Sequence, residues 1–252
     1  MLQATARFSE RVDNYTLYRP GYPNEIILFL QEATGLKKRF RIADIGSGTG
    51  IFTELLLKNG FRVKAIEPNA NMRNEAEKNL SRYSGFLSID GTAEQTGLES
   101  GQIDLIVAAQ AFHWFNPLNT KKEFTRILKP GGHIALVWNI SQANTPFLAG
   151  YRELKIKYGN DYKGSQHANI ATIETFFHPM KVITKKISHE QLLDYEAVKG
   201  LLLSNSHMPL ENHENYPFMI KELKELFLEN QQKGIIQMNY ETNIYTNENQ
   251  VE

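Results

Sequence analysis

The sequence predicts an α/β fold: a doubly wound, mostly parallel seven-stranded sheet with a helical cap from the second half of the chain. Three observations predict it. Between residues 41 and 138, short apolar runs alternate with helical patterns over short connections, the layout of a parallel sheet covered on both faces. The first apolar run ends in Asp44-Ile45-Gly46-Ser47-Gly48-Thr49-Gly50 and passes directly into a helix. Two more strand-like runs follow an irregular stretch and suit a closing antiparallel pair.

Composition bounds the function. The 252 residues are 41% hydrophobic and 11% aromatic, enough for a sizeable core. Basic and acidic residues balance at 28 each, so no global field favours nucleic acid or an anionic membrane. The absence of cysteine excludes disulfides, thiolate nucleophiles and cysteine metal sites. The seven histidines show no H-x-x-x-H or H-E-x-x-H spacing, so no metal site is expected. Met1 to Arg7 lacks the apolar core of a signal peptide, and no run of about 18 apolar residues occurs. A cytoplasmic chain is the expectation, and nothing fixes its oligomeric state.

Residues 1–23 are polar with spaced aromatics and end in Arg19-Pro20-Gly21-Tyr22-Pro23, where two prolines interrupt any helix. Residues 24–34 read as a helix with Asn24 as N-cap. Strands are expected at 41–45, 61–66, 85–89, 104–108 and 133–138, with helices at 51–58, 71–83 and 119–128 and a turn at 129–132. Beyond Asn139 the pattern is irregular and mostly helical to residue 180. A strand at 181–188, helices at 190–203 and 214–232, and a strand at 234–246 complete the reading, with a frayed tail from Asn247. The implied organisation is a lid and first helix over 1–34, a cofactor-binding core over 35–139, a cap and acceptor region over 140–233 containing the late strand, and a closing strand and tail over 234–252.

The glycine loop is the strongest motif. Glycines allow positive φ and close approach of a ligand, and the helix that follows offers unpaired N–H groups. In an open α/β sheet this position lies at the carboxyl ends of the strands, where ligands bind. A dinucleotide fingerprint, G-x-G-x-x-G, fails in both registers, because the third place falls on Ile51 or Thr53. Asp44 would repel a pyrophosphate but suits a ligand carrying a cation, such as the ammonium of a methionine moiety. Glu67 closes the next strand, 23 residues after Asp44, and can accept hydrogen bonds from both hydroxyls of a ribose. Asp90-Gly91-Thr92-Ala93-Glu94 follows the third strand, and a small-residue turn with a carboxylate there could flank an adenine.

On these motifs, together with Asp104 to Phe115 and Leu128-Lys129-Pro130-Gly131-Gly132, the chain resembles class I S-adenosylmethionine-dependent methyltransferases, over roughly residues 40–140. It is similar to the small-molecule branch that includes trans-aconitate methyltransferase-like proteins, on Tyr15, Arg19-Pro20-Gly21-Tyr22-Pro23, Ser204-Asn205-Ser206 and the closing strand. The resemblance implies a Rossmann-like methyltransferase fold with S-adenosylmethionine as cofactor. It places Gly46, Ser47, Gly48 and Gly50 near the methionine part and Asp44 at its ammonium. Glu67 would bind the ribose with Pro68 and Asn69 beside it; Thr92, Ala93 and Glu94 would lie near adenine; Gln110 would line the methyl side; and Arg19 could pair with the methionine carboxylate.

A sulfonium is already a strong methyl donor, so alignment of the acceptor behind the methyl can provide most of the acceleration. A high-pKa acceptor would need a general base, and a carboxylate would not. His113, within Ala111-Phe112-His113-Trp114-Phe115, is the one evident base candidate, a histidine packed between aromatics being the alternative. Tyr15, Tyr18 and Trp114 are the substrate-side candidates, and Phe8, Tyr15, Tyr18 and Tyr22 could form a lid carrying Arg7, Arg11 and Arg19. The expected activity is in-line methyl transfer to a small-molecule acceptor, with a carboxylate as candidate. The alternatives are an S-adenosylmethionine-binding protein without turnover and an NAD(P)-dependent oxidoreductase.

Overall fold

The computed structural model describes residues 11–160 and 170–248. In chain order the elements are α1 (Val12–Tyr18), α2 (Glu25–Thr34), β1 (Arg41–Ile45), α3 (Ile51–Lys58), β2 (Arg62–Ile66), α4 (Ala70–Leu80), β3 (Phe86–Ile89), β4 (Ile103–Ala109), a 3₁₀ turn (Phe112–Trp114), α5 (Pro117–Ile127), β5 (Leu128–Ser141), α6 (Pro146–Tyr158), α7 (Ile170–Phe177), β6 (Val182–Leu193), α8 (Tyr195–Leu203), α9 (Tyr216–Asn230) and β7 (Ile236–Asn247). One seven-stranded sheet has the order β3-β2-β1-β4-β5-β7-β6. The first five strands pair in parallel, and β7 runs antiparallel between β5 and β6. The order reverses between β1 and β4, which opens a crevice at their carboxyl ends.

Each central strand feeds two cores, because side chains alternate across the sheet. Ile42, Leu105, Val107, Ala135 and Val137 pack with α2 and α3, while Ala43, Ile45, Ile106, Leu136 and Trp138 pack with α5 and α7. A third cluster joins α6, α8 and α9 to Leu193, Ile236, Met238 and Tyr240 of β6 and β7. Among the described residues, no helix is long and apolar enough to cross a membrane.

Several local expectations change. The helix expected from residue 190 begins at Tyr195, capped by Asp194 Oδ1, which accepts from Ala197 N at 2.8 Å. Residues 190–193 pair with β7 instead, since ladder hydrogen bonds and the burial of Leu193 outweigh local helix preference. Residues 129–132 form a bulge inside β5, where Leu128 opposes Ile103 but His133 opposes Leu105. Asn247 is not frayed: it is buried, and its Oδ1 accepts from Ile134 N at 2.8 Å. Asn24 stands at the N-cap of α2 but makes no side-chain cap bond; its Oδ1 accepts from Asn59 Nδ2 at 2.8 Å. Arg7, Phe8, His167 and residues 249–252 lie outside the described residues.

Gly50 has a structural task. It takes φ +87°, and a Cβ there would stand 2.5 Å from Leu80 Cδ1, so the start of α3 sits directly against α4. Gly50→Ala is therefore expected to lower stability by roughly 2–4 kcal/mol, from left-handed strain and overpacking together. A thermal melt reads this, and an unchanged midpoint would contradict the packing.

Candidate functional site

The crevice between β1 and β4 is a cavity of about 1110 Å³, its open mouth included. Its floor is the glycine loop. Asp44, one residue before the end of β1, is buried, and Gly46, Gly48 and Gly50 take φ values of +69°, +58° and +87°. Gly46 N and Ser47 N both donate to Ile66 O, at 2.8 and 3.1 Å, which ties the loop to the end of β2. A Cβ on Gly46 would meet Ala111 Cβ at 2.7 Å, so only glycine allows the loop this close to the turn after β4.

Glu67 joins two loops. Its Oε2 accepts from Gly48 N at 2.9 Å and its Oε1 from Asn69 N at 2.8 Å. Asn69 then caps α4, accepting from Asn71 N and Met72 N. Each carboxylate oxygen has two lone pairs, so Glu67 retains acceptor capacity toward the cavity it lines. Burial raises its pKa, and the Asn69 and Gly48 N–H groups oppose that rise.

Asp44 is held by Thr53, whose hydroxyl donates to Oδ2 at 2.6 Å. Its Oδ1 is buried without a hydrogen-bond partner among the described residues. Burial is the main cause of a pKa pushed up to about 7; the Thr53 bond opposes it and the Glu67 charge adds to it. Arg19, also in the lining, lies over the Tyr15 ring at 4.9 Å, and its Nη2 donates to Ser204 O and Asn205 Oδ1 at 3.2 and 3.3 Å. Its Nε is buried without a partner among the described residues. One cavity thus holds an orphaned carboxylate oxygen and an orphaned guanidinium N–H, the pair that a zwitterionic amino-acid tail would satisfy.

Of the sequence candidates, Tyr15, Arg19, Asp44, Gly46, Ser47, Gly48, Glu67, Pro68, Thr92, Ala93, Gln110 and Trp114 line this cavity together. Four do not. Gly50 faces Leu80, as described. Glu94 Oε1 accepts from Asn116 N at 2.8 Å and so anchors the start of α5. Tyr18 packs on α8, where a Cβ on Gly200 would lie 2.0 Å from its ring. His113 sits beside Trp114, ring centroids 5.0 Å apart, outside the lining. Arg11, read with the lid, caps α8 instead: its two Nη atoms donate to Leu203 O and Met208 O, both at 2.6 Å.

The structure adds Ile51, Phe52, Met72 and Asn139 to the lining. Asn139 was legible in principle, as a polar residue closing an apolar run at the carboxyl end of β5. Met72 carries no such signal, because α4 brings it over the loop only in three dimensions. Gln110, immediately after β4, takes φ +55°, an uncommon value for a non-glycine residue. Its N–H donates to Val137 O and its Nε2 to Asn139 O, both at 2.8 Å, and these bonds hold the strained residue in place.

Fold and crevice define the class. Residues 43–136 match the family described as "Methyltransferase domain", and the relatives and solved structures that the chain resembles are methyltransferases. Among particular proteins, it is similar to an uncharacterized methyltransferase of Mycobacterium tuberculosis, 35% identical over 154 residues, covering 61% of this chain and 59% of the relative. The chain thus matches somewhat over half the length of that curated relative. Its fold is shared with an Anaeromyxobacter dehalogenans protein assigned as a type II methyltransferase, at TM-score 0.70 and 21% identity over 92% of this chain and 98% of the other. It is shared also with Haemonchus contortus phosphoethanolamine N-methyltransferase 2, solved with S-adenosylhomocysteine, at TM-score 0.58 and 15% identity over 98% of this chain and 59% of the other.

Proposed function

We propose that the protein transfers the methyl group of S-adenosylmethionine to a small-molecule acceptor, and that the acceptor atom is a carboxylate oxygen. The observation that carries the cofactor assignment is the pair of buried atoms without partners among the described residues, Asp44 Oδ1 and Arg19 Nε, on residues lining one cavity that Glu67 also lines. Asp44 would take the ammonium, Arg19 the carboxylate and Glu67 the ribose hydroxyls, with Thr92 and Ala93 beside the adenine. Bound, the cofactor would supply an activated methyl on a sulfonium. The chain's part is to orient the acceptor and exclude water, for which Tyr15, Tyr22, Trp114 and Phe115 provide an aromatic wall.

The acceptor assignment rests on what lines the cavity. No histidine or lysine does so among the described residues, and the two carboxylates are engaged at the cofactor end. Tyr22 is a poor base acceptor of protons from a substrate, because burial drives its pKa well above the tyrosine range and it stays neutral. An acceptor that is already ionised at neutral pH fits this wall, and a carboxylate is one. His113→Ala is accordingly expected to change the turnover rate by less than tenfold. A loss above about a hundredfold would place general-base chemistry on His113 and end the carboxylate assignment.

Calorimetric titration of the wild type with S-adenosylmethionine and with NADH tests the cofactor. Binding of NADH alone would refute the reading, and Asp44 argues against it, since its charge would face a pyrophosphate. Cofactor consumption over a panel of small carboxylic acids then separates an enzyme from a protein that binds without turnover.

A further inference from the structure

Asn139 ties β5, β6 and β7 to the irregular segment before α2. Its side chain is 7% exposed and lines the cavity wall. Its Oδ1 accepts from Thr242 Oγ1 at 2.6 Å and lies 3.2 Å from His189 Nε2, which fixes the amide to β7 and β6. With Oδ1 occupied by the sheet, Nδ2 is directed outward and donates to Gly21 O at 2.9 Å. Its backbone oxygen takes the Gln110 side chain at 2.8 Å. Residues 20–22 are irregular, and among the described residues no other backbone atom of theirs makes a hydrogen bond. A Cβ on Gly21 would meet nothing within 4 Å, so packing does not hold this point either.

We infer that Asn139 is a positioning residue: a latch that holds the Arg19–Tyr22 roof over the amino-acid end of the cavity. The amide is suited to this because one group accepts from the sheet while the other donates to the roof. The sheet bonds orient the amide, so the roof bond has one direction and not several. Arg19 lies two residues from Gly21, so the latch bears on the methionine end of a ligand, and Glu67, on the far side of the glycine loop, is independent of it. This inference rests on the cofactor reading above, and the tests separate the two.

Asn139→Asp keeps an acceptor for Thr242 and His189 but cannot donate to Gly21 O while ionised. In the ligand-free variant, the Gly21 carbonyl ¹³C resonance is expected to move upfield, as a carbonyl does when it loses its donor, and the ¹⁵N order parameters of Gly21 and Tyr22 to fall below about 0.6, with those of β1 and β4 staying at about 0.85. Affinity for S-adenosylmethionine should fall about tenfold, and affinity for 5′-methylthioadenosine, which lacks the amino-acid tail, should stay within threefold. Thr242→Val, which removes a sheet bond and leaves the roof bond, should lower the thermal midpoint with the Gly21 carbonyl shift near wild type. Asn139→Ser serves if the aspartate variant does not fold, since it too loses the roof bond. A wild-type Gly21 carbonyl shift and wild-type order parameters at Gly21 and Tyr22 in both Asn139 variants would overturn the latch, as would equal losses for the two ligands. A wild type that binds neither ligand would refute the cofactor reading, and the carbonyl shift and order parameters of the ligand-free protein would still decide the latch.

Discussion

Asp44→Asn is expected to weaken S-adenosylmethionine binding about a hundredfold at pH 8 and, in the same protein, to raise the thermal midpoint of the ligand-free form. The two effects have one origin. Asp44 is buried, Thr53 satisfies one of its oxygens, and the other has no partner among the described residues. Burial raises its pKa from 3.8 to about 7. The folded, ligand-free protein therefore binds this proton more tightly than the unfolded chain does. The resulting stabilisation is complete below about pH 3.8 and is lost as pH rises through about 7. Above that, an uncompensated charge remains in the floor of the cavity, at a cost on the order of 2–4 kcal/mol. Asparagine keeps an acceptor for Thr53 and carries no charge, so its advantage should grow between pH 4 and pH 7 and level off beyond. Melting curves of both proteins across that range measure it, and an advantage independent of pH would contradict the cause given.

The loss of affinity follows from the same oxygen. An ammonium placed at Asp44 Oδ1 requires the ionised carboxylate, and about a hundredfold corresponds to about 2.7 kcal/mol, within the range for a buried charge-assisted bond. In the wild type, binding below pH 7 should release a proton and weaken by up to tenfold per pH unit, because Asp44 is protonated in the free site. Calorimetry in buffers of different ionisation enthalpy reads that proton. 5′-Methylthioadenosine, with no ammonium, should bind Asp44→Asn as it binds the wild type. A variant that binds S-adenosylmethionine with wild-type affinity would remove Asp44 from the site.

Glu67→Ala is expected to weaken both S-adenosylmethionine and 5′-methylthioadenosine by 10²–10³-fold and to lower the thermal midpoint. This pattern differs from that of Asp44 because Glu67 holds the frame through Gly48 N and Asn69 N and, in the proposed reading, would also serve the sugar. Removing it orphans Gly48 N and Asn69 N, each costing about 1–3 kcal/mol when buried, and takes away the acceptors proposed for the ribose hydroxyls. The penalty of burying the carboxylate is relieved at the same time, which limits the net loss of stability. Glu67→Gln should fall between: it restores one acceptor but turns an amide NH₂ toward one of the two N–H groups. Equilibrium binding of both ligands checks this. Affinities within threefold of wild type for Glu67→Ala would detach the ribose from β2.

Periodicity made the fold legible. Five parallel strands and the helices between them follow from alternation of apolar runs, because a strand buried on both faces must be apolar throughout. The glycine loop and Glu67 were legible for a related reason: they stand at strand ends, where local sequence and position in the sheet are tied together. His113 and Glu94 follow strands in sequence and Tyr18 belongs to the N-terminal segment read as a lid, but the 3₁₀ turn at Phe112–Trp114, the anchoring of Asn116 N and the contact of α1 with Gly200 leave them outside the cavity lining.

By itself, the sequence determined the class of sheet, the glycine loop at the crevice, and the residue types available there. Only the tertiary structure decided which of them share a wall. Asp44 and Arg19 are 25 positions apart and belong to no common motif; Ser204, Asn205 and Asn139 reach the site from α8 and β5. The physical reason is that burial and hydrogen-bond satisfaction are properties of the packed whole. An oxygen left without a partner becomes visible only after every neighbour that could have served it has been placed.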